Sequence, residues 1–125
     1  MAASRALTHW LPVVLWAALI FALSSIPSLS TDLGVWDYVL RKCAHMTEYA
    51  VLAFLLARAL EREAPAFVAG LLYAASDELH QAFVRGRHAS PIDVAIDSVG
   101  LAAGVLVWRH EREQRERRSR SRRGA

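Results

Sequence analysis

From Leu7 to Leu23 the chain reads LTHWLPVVLWAALIFAL, an apolar run with no charged residue. A run of this kind sits at the short end of what a helix needs to cross a bilayer. Three further apolar segments follow, and each has one polar end. Tyr38 to Leu60 begins polar and turns apolar at Tyr49. Pro65 to Val84 is apolar first and polar from Ser76. Pro91 to Trp108 is polar through its first two turns and apolar afterwards. Pro65 and Pro91 suit first-turn positions, where a missing N–H costs little. A soluble four-helix bundle needs a polar stripe along the whole length of each helix. VLAFLLARAL, AFVAGLLYAA and VGLAAGVLVW carry none. A lipid-facing surface accounts for them better.

The expected fold is therefore all-α, an integral membrane four-helix bundle of four transmembrane spans at about 7–24, 38–60, 65–84 and 91–108. These make one transmembrane domain, residues 1–109, in a chain of 125 residues that is 54% hydrophobic. The first segment is long for a cleaved leader and contains Trp10, Pro12 and Trp16, so it is read as a retained span. After Trp108 comes RHEREQRERRSRSRRGA, which holds more than half of the fifteen Lys+Arg. Residues 110–125 are read as a basic, disordered cytoplasmic tail rather than a nucleic-acid surface. The net charge of +3 thus says little about the folded part. There is no zinc-ligand spacing and no glycine-rich phosphate loop. Cys43 is the one cysteine, which excludes an internal disulfide.

Charge asymmetry sets the expected orientation. With both termini cytoplasmic, Arg5, Arg58, Arg62 and the tail arginines lie inside, and Arg41, Lys42, Arg85 and Arg87 lie outside. The positive-inside rule favours this arrangement, a multi-pass protein of the bacterial plasma membrane. Three polar ends then meet in one layer at the outer face. Segment two brings Arg41, Lys42, His45 and Glu48. Segment three brings Asp77, Glu78, His80 and Gln81, then Arg85 and Arg87. Segment four brings His88, Asp93 and Asp97. Ionisable groups at membrane depth are costly, so such a layer is a candidate functional site. Lys42, His45 and Glu48 or Tyr49 share a helix face, Gln81 shares one with Asp77 and with Glu78, and Asp93 aligns with Asp97 and Gly100. Gly100 and Gly104 form a GxxxG pair, which permits close helix approach.

These stretches resemble the VanZ-like family of small bacterial membrane proteins. The resemblance rests on LSSIP at 23–27, KCAHMTEYAVLAFLL at 42–56, SDELHQAFVRGRHASPIDV at 76–94 and the D-S-V-G-x-x-x-G run at 97–104. It covers roughly residues 10 to 108 of the chain. It implies a compact multi-span membrane protein whose polar residues fall on Lys42, His45, Glu48, Asp77, Glu78, Gln81, Arg87, Asp93 and Asp97. The founding member is linked to low-level teicoplanin resistance, and most relatives lie outside resistance clusters. Two positions depart from the family pattern. Arg85-Gly86-Arg87 stands where Pro-Gly-Arg is usual, and Asp97 stands where Asn is usual.

Four readings of the polar layer compete. In the first, Arg87, Arg85 and Lys42 grip an anionic headgroup, while Gln81 and the carboxylates meet sugar or peptide groups. The partners are then membrane lipids and a lipid-linked envelope intermediate, with no nucleic acid and no named protein. In the second, His45 is a general base or nucleophile, Glu78 or Asp77 an acid, and Arg87 a charge stabiliser on a phosphoryl or acyl group. In the third, His45, Glu48, Asp77, Glu78 and Asp93 ligate a cation; but His-x-x-Glu occurs once and in the reverse order of the di-iron motif, so no metal or cofactor is expected. In the fourth, a structural or partner-binding membrane subunit, the charges pair and fix helix register, Lys42 with Glu48 or Asp77 and Arg87 with Asp93. The first is favoured. His80 and His88 are read as interfacial, His9 and His110 as surface residues. The four tryptophans are read as interface or lipid contacts. Ser24 and Ser25 are expected to satisfy backbone at the end of the first helix or to line the layer.

Overall fold

The computed structural model describes residues 2–26, 34–84 and 90–125. These form helices α1 (Ala2–Ser24), α2 (Val35–Leu60), α3 (Glu63–Gln81) and α4 (Pro91–Gly124), with no strand among the described residues. Three of them, α1, α2 and α4, are long and apolar enough to cross a membrane. α3 is not clearly a span. It is the shortest, and Asp77, Glu78, His80 and Gln81 crowd its last turns.

Local chemistry sets the helix ends. Ser90 caps α4 by accepting the Ile92 N–H, and Pro91 takes the first helical position. Pro65 falls in the first turn of α3. The α2–α3 connection is tight: Glu61 adopts the left-handed conformation (φ 56°) and returns its N–H to the Ala57 carbonyl at 2.8 Å. α1 ends at Ser24 and α2 at Leu60, and α3 ends at Gln81, short of Val84.

The tail departs from expectation. α4 continues unbroken to Gly124, so residues 110–124 are helix and not disordered chain. The segment carries Glu and Arg at four-residue spacing, and the pairs Arg112–Glu116 (3.1 Å) and Arg115–Glu111 (3.8 Å) bridge successive turns.

The tightest packing joins α2 and α4. A methyl group at Gly100 would collide with the Met46 backbone, and one at Gly104 with the Ala50 backbone. The two glycines thus let α4 lie directly on the α2 main chain. Gly70 of α3 makes similar room for the Leu101 side chain. Tyr49, Leu52, Ala53 and Leu101 fill the centre of the bundle. α1 packs on α2, less on α3, and not on α4. It leaves Leu7, Leu11, Val14, Leu15, Leu19 and Phe21 exposed, an apolar surface compatible with lipid. Pro12 has no N–H to give the Thr8 carbonyl inside α1. Arg58 of α2 supplies that hydrogen bond instead, Nη2 to O at 2.9 Å. Trp16 donates to the Glu48 carbonyl at 2.8 Å, and Tyr73 donates to the Ala17 carbonyl. Trp16 is therefore an inter-helix contact, and Trp108 is buried, while Trp10 and Trp36 are exposed.

Candidate functional site

Successive helices run antiparallel, α2 and α4 run parallel, and the polar ends meet. α2 contributes Lys42, His45 and Glu48, each half-buried. α3 contributes Asp77, Glu78 and Gln81, all buried although charged or polar. α4 contributes Asp93, half-buried, and Asp97, which is only 3% exposed. The spacings that put these residues on one face of each helix are those of the sequence. What joins them is the seating of α4 on α2 through the two glycines.

Specific contacts tie the helices together at this layer. Lys42 of α2 forms an ion pair with Asp93 of α4. For Lys42 this differs from the partners expected from sequence, Glu48 or Asp77, while the expected Arg87–Asp93 pair involves a residue outside the described ones. Lys42 and Asp93 face each other across the α2–α4 seam, where backbones are closest, whereas Asp77 is taken by Tyr49. The Tyr49 hydroxyl donates to Asp77 Oδ2 at 2.8 Å, linking α2 to α3. Tyr49 is fully buried, so a dry, charge-assisted bond lies at the heart of the bundle. Glu78 Oε1 accepts the Ser90 N–H at 2.5 Å and fixes the entry to α4. Gln81 Nε2 donates to Ser24 Oγ at 3.3 Å and draws the end of α1 into the layer. Ser25 satisfies the Phe21 carbonyl and faces His80 Nε2 at 3.0 Å, and His80 stacks on Phe21.

His45 stands between two acids. Its Nδ1 lies 3.9 Å from Glu48 Oε2 and 3.9 Å from Asp97 Oδ1. Those separations allow electrostatic attraction but exceed a hydrogen bond. Asp77 Oδ1 is buried and has no hydrogen-bond partner among the described residues. A half-open cavity of about 220 Å³ adjoins the layer, lined by Leu23, Ser24, Ile26, Arg41, His45 and Glu48. No three His, Cys, Asp or Glu side chains among the described residues stand together as a metal-binding group. Arg87, Arg85 and His88 lie outside the described residues.

Of the residues singled out from sequence, every described one is in this layer. Tyr49 is expected on the shared face of α2 and Ser24 at the edge of the layer, but their partners, Asp77 and Gln81, need the packed structure. Ser90 is not expected there and enters through its backbone bond to Glu78. The layer is rich in carboxylates. Among the described residues, Lys42, already paired, and His45 stand closest to them.

Comparison with known proteins adds a family. The model described as VanZ/LLP1 matches residues 8–111. No curated protein and no solved structure matches the chain.

Proposed function

The chain belongs to the VanZ/LLP1 family, and from that premise we propose that it binds the polar head of an amphiphilic cell-envelope component in the layer formed by α2, α3 and α4. Asp77 Oδ1 carries this reading: a buried carboxylate oxygen without a donor, held in place by Tyr49 on its other oxygen. An unsatisfied acceptor of this kind is expensive unless something donates to it. A headgroup with hydroxyl, amide or ammonium donors would do so. A cavity beside His45 and Glu48 lies on the α1 side of the same layer. The surplus of acids favours a donor-rich, sugar- or peptide-bearing head. A phosphate on the same molecule would be met by Arg85 and Arg87, which follow α3 in the sequence.

The topology that goes with this reading has four spans, with α3 crossing as a polar-ended helix shielded by its neighbours. Both termini are cytoplasmic, by the arginine excess at their end. The polar layer then faces outward from the plasma membrane, where lipid-linked envelope intermediates and glycopeptides meet. An effect on teicoplanin-type susceptibility follows if the bound component is one that the antibiotic needs.

A catalytic reading has one observation in its favour, the placement of His45 against Asp97 and Glu48. It requires turnover of a lipid-linked phosphate or acyl group that is lost in His45→Ala. Against Glu78 as the acid stands its backbone bond to Ser90.

The deciding experiment is native mass spectrometry of gently solubilised wild type beside Asp77→Asn, Glu78→Gln and Arg87→Ala. A discrete amphiphile retained by wild type and lost from the variants is expected. Equal occupancy in all four, or none in any while all stay folded, would leave the charges as a structural network.

A further inference from the structure

A second pocket lies at the opposite end of the bundle, far along the helices from the layer described above. It opens where α1 and α4 fail to touch, and α2 forms its floor. Its volume is about 420 Å³, larger than the cavity beside His45. α1 supplies Arg5 and His9, and α2 supplies Phe54 and Arg58. α4 supplies Trp108, Arg112 and Arg115. Glutamates 61, 111 and 116 also line it, outnumbered by the arginines.

We propose that this pocket binds the phosphate of an anionic lipid headgroup at the membrane surface. The arginines differ in how they are held. Arg5 pairs with Glu61 at 3.0 Å, Arg112 with Glu116 and Arg115 with Glu111, all largely solvent-exposed. Exposed pairs of long side chains are weak and easily exchanged. They hold the guanidinium groups in place until a phosphate, a stronger bidentate partner, arrives. Arg58 is the fixed element. Its Nη2 is anchored on the Thr8 carbonyl that Pro12 leaves open, and its Nε is buried with no partner. A buried donor without an acceptor calls for an oxygen at that wall. Phe54 and the buried Trp108 give the pocket an apolar side, with the Arg112 guanidinium 5.4 Å from the Trp108 ring centre. An acyl chain leaving the pocket would run down the gap between α1 and α4.

This site is built from the continuation of α4. Arg112, Arg115 and Glu116 lie beyond residue 111, where the match to the family ends. The helical tail thereby has a task that a solvated extension would not.

The test uses the full chain in neutral detergent, titrated with phosphatidylglycerol, with phosphatidylcholine and with inorganic phosphate, read by native mass spectrometry and thermal stabilisation. Wild type should bind phosphatidylglycerol in preference to phosphatidylcholine. Arg58→Gln, and separately the exposed pair Arg112→Gln with Arg115→Gln, should each weaken it at least about tenfold, the loss expected for a charged hydrogen bond. Thr47→Ala, an exposed residue bonded only within its own helix and part of neither site, should bind as wild type does. Unchanged affinity in both arginine variants overturns the proposal. So does equal binding of the two lipids. Stabilisation by inorganic phosphate with none by phosphatidylglycerol overturns the lipid assignment and leaves a site for the free anion.

Discussion

Tyr49 donates its hydroxyl to Asp77 across the α2–α3 interface at 2.8 Å, and neither residue has appreciable access to solvent. The contact explains how a carboxylate is held inside an apolar bundle. One oxygen is satisfied by a side chain that otherwise belongs to the core, and the other has no hydrogen-bond partner among the described residues. Under the proposed function, stability and binding share this residue and can be separated by substitution.

Tyr49→Phe keeps the ring and removes the donor. It is expected to lower unfolding stability in micelles by about 1–3 kcal/mol, because the Asp77 carboxylate loses a buried partner. In a double-mutant cycle with Asp77→Asn the two losses should not add. Additive losses would show that the hydroxyl and the carboxylate do not act on each other.

Gly104→Ala and Gly100→Ala place a methyl against the α2 backbone, which cannot move aside as a side chain can. Each should destabilise by about 1–3 kcal/mol through overpacking. Gly70→Ala meets only the tip of Leu101 and should cost less. Thermal denaturation of the three variants checks the order. Tolerance of alanine at 104 would mean that α4 does not sit on α2 as closely as described.

The Lys42–Asp93 pair is about one-fifth exposed on each side. Removing one member leaves the other charge half-buried among further acids. Lys42→Met should therefore cost more than the double variant Lys42→Met with Asp93→Asn, up to about 3 kcal/mol before allowance for partial hydration. Chemical unfolding of both, with wild type, measures the difference.

At the other end of the bundle, hydrogen bonds from Arg109 hold the Glu63 carboxyl below its ordinary value of 4.5. A carboxyl with a lowered folded-state pKa adds stability above its unfolded value, and that stability is lost as pH falls through the folded value. Both partners are near solvent, so the effect is small and salt-sensitive. Melting temperature recorded from pH 6 downward should fall less steeply for Glu63→Gln than for wild type. Parallel curves would mean that the pair adds nothing to α3–α4 docking.

Much of this molecule is legible in one dimension. The uncharged run from Leu7 to Leu23 and the polar ends of the later segments follow from residue order alone, because helical rise converts sequence position directly into depth. Lys42, His45, Asp77, Gln81, Asp93 and Asp97 could be assigned to one layer for the same reason. The tail escaped that logic. Its composition reads as solvated chain, yet the spacing of Glu and Arg along a helix already begun at Pro91 carries the helix on to Gly124.

Depth along a helix says nothing of rotation about it or of which neighbour it meets. Tertiary structure alone decided that Lys42 faces Asp93, that Tyr49 reaches Asp77, and that Arg58 fills the place opened by Pro12. These choices depend on how closely two helices approach. Here two glycines set that distance for α2 and α4, while α1 and α4 are kept apart around a pocket. Residue order determined which groups share a layer, and close packing determined which of them touch.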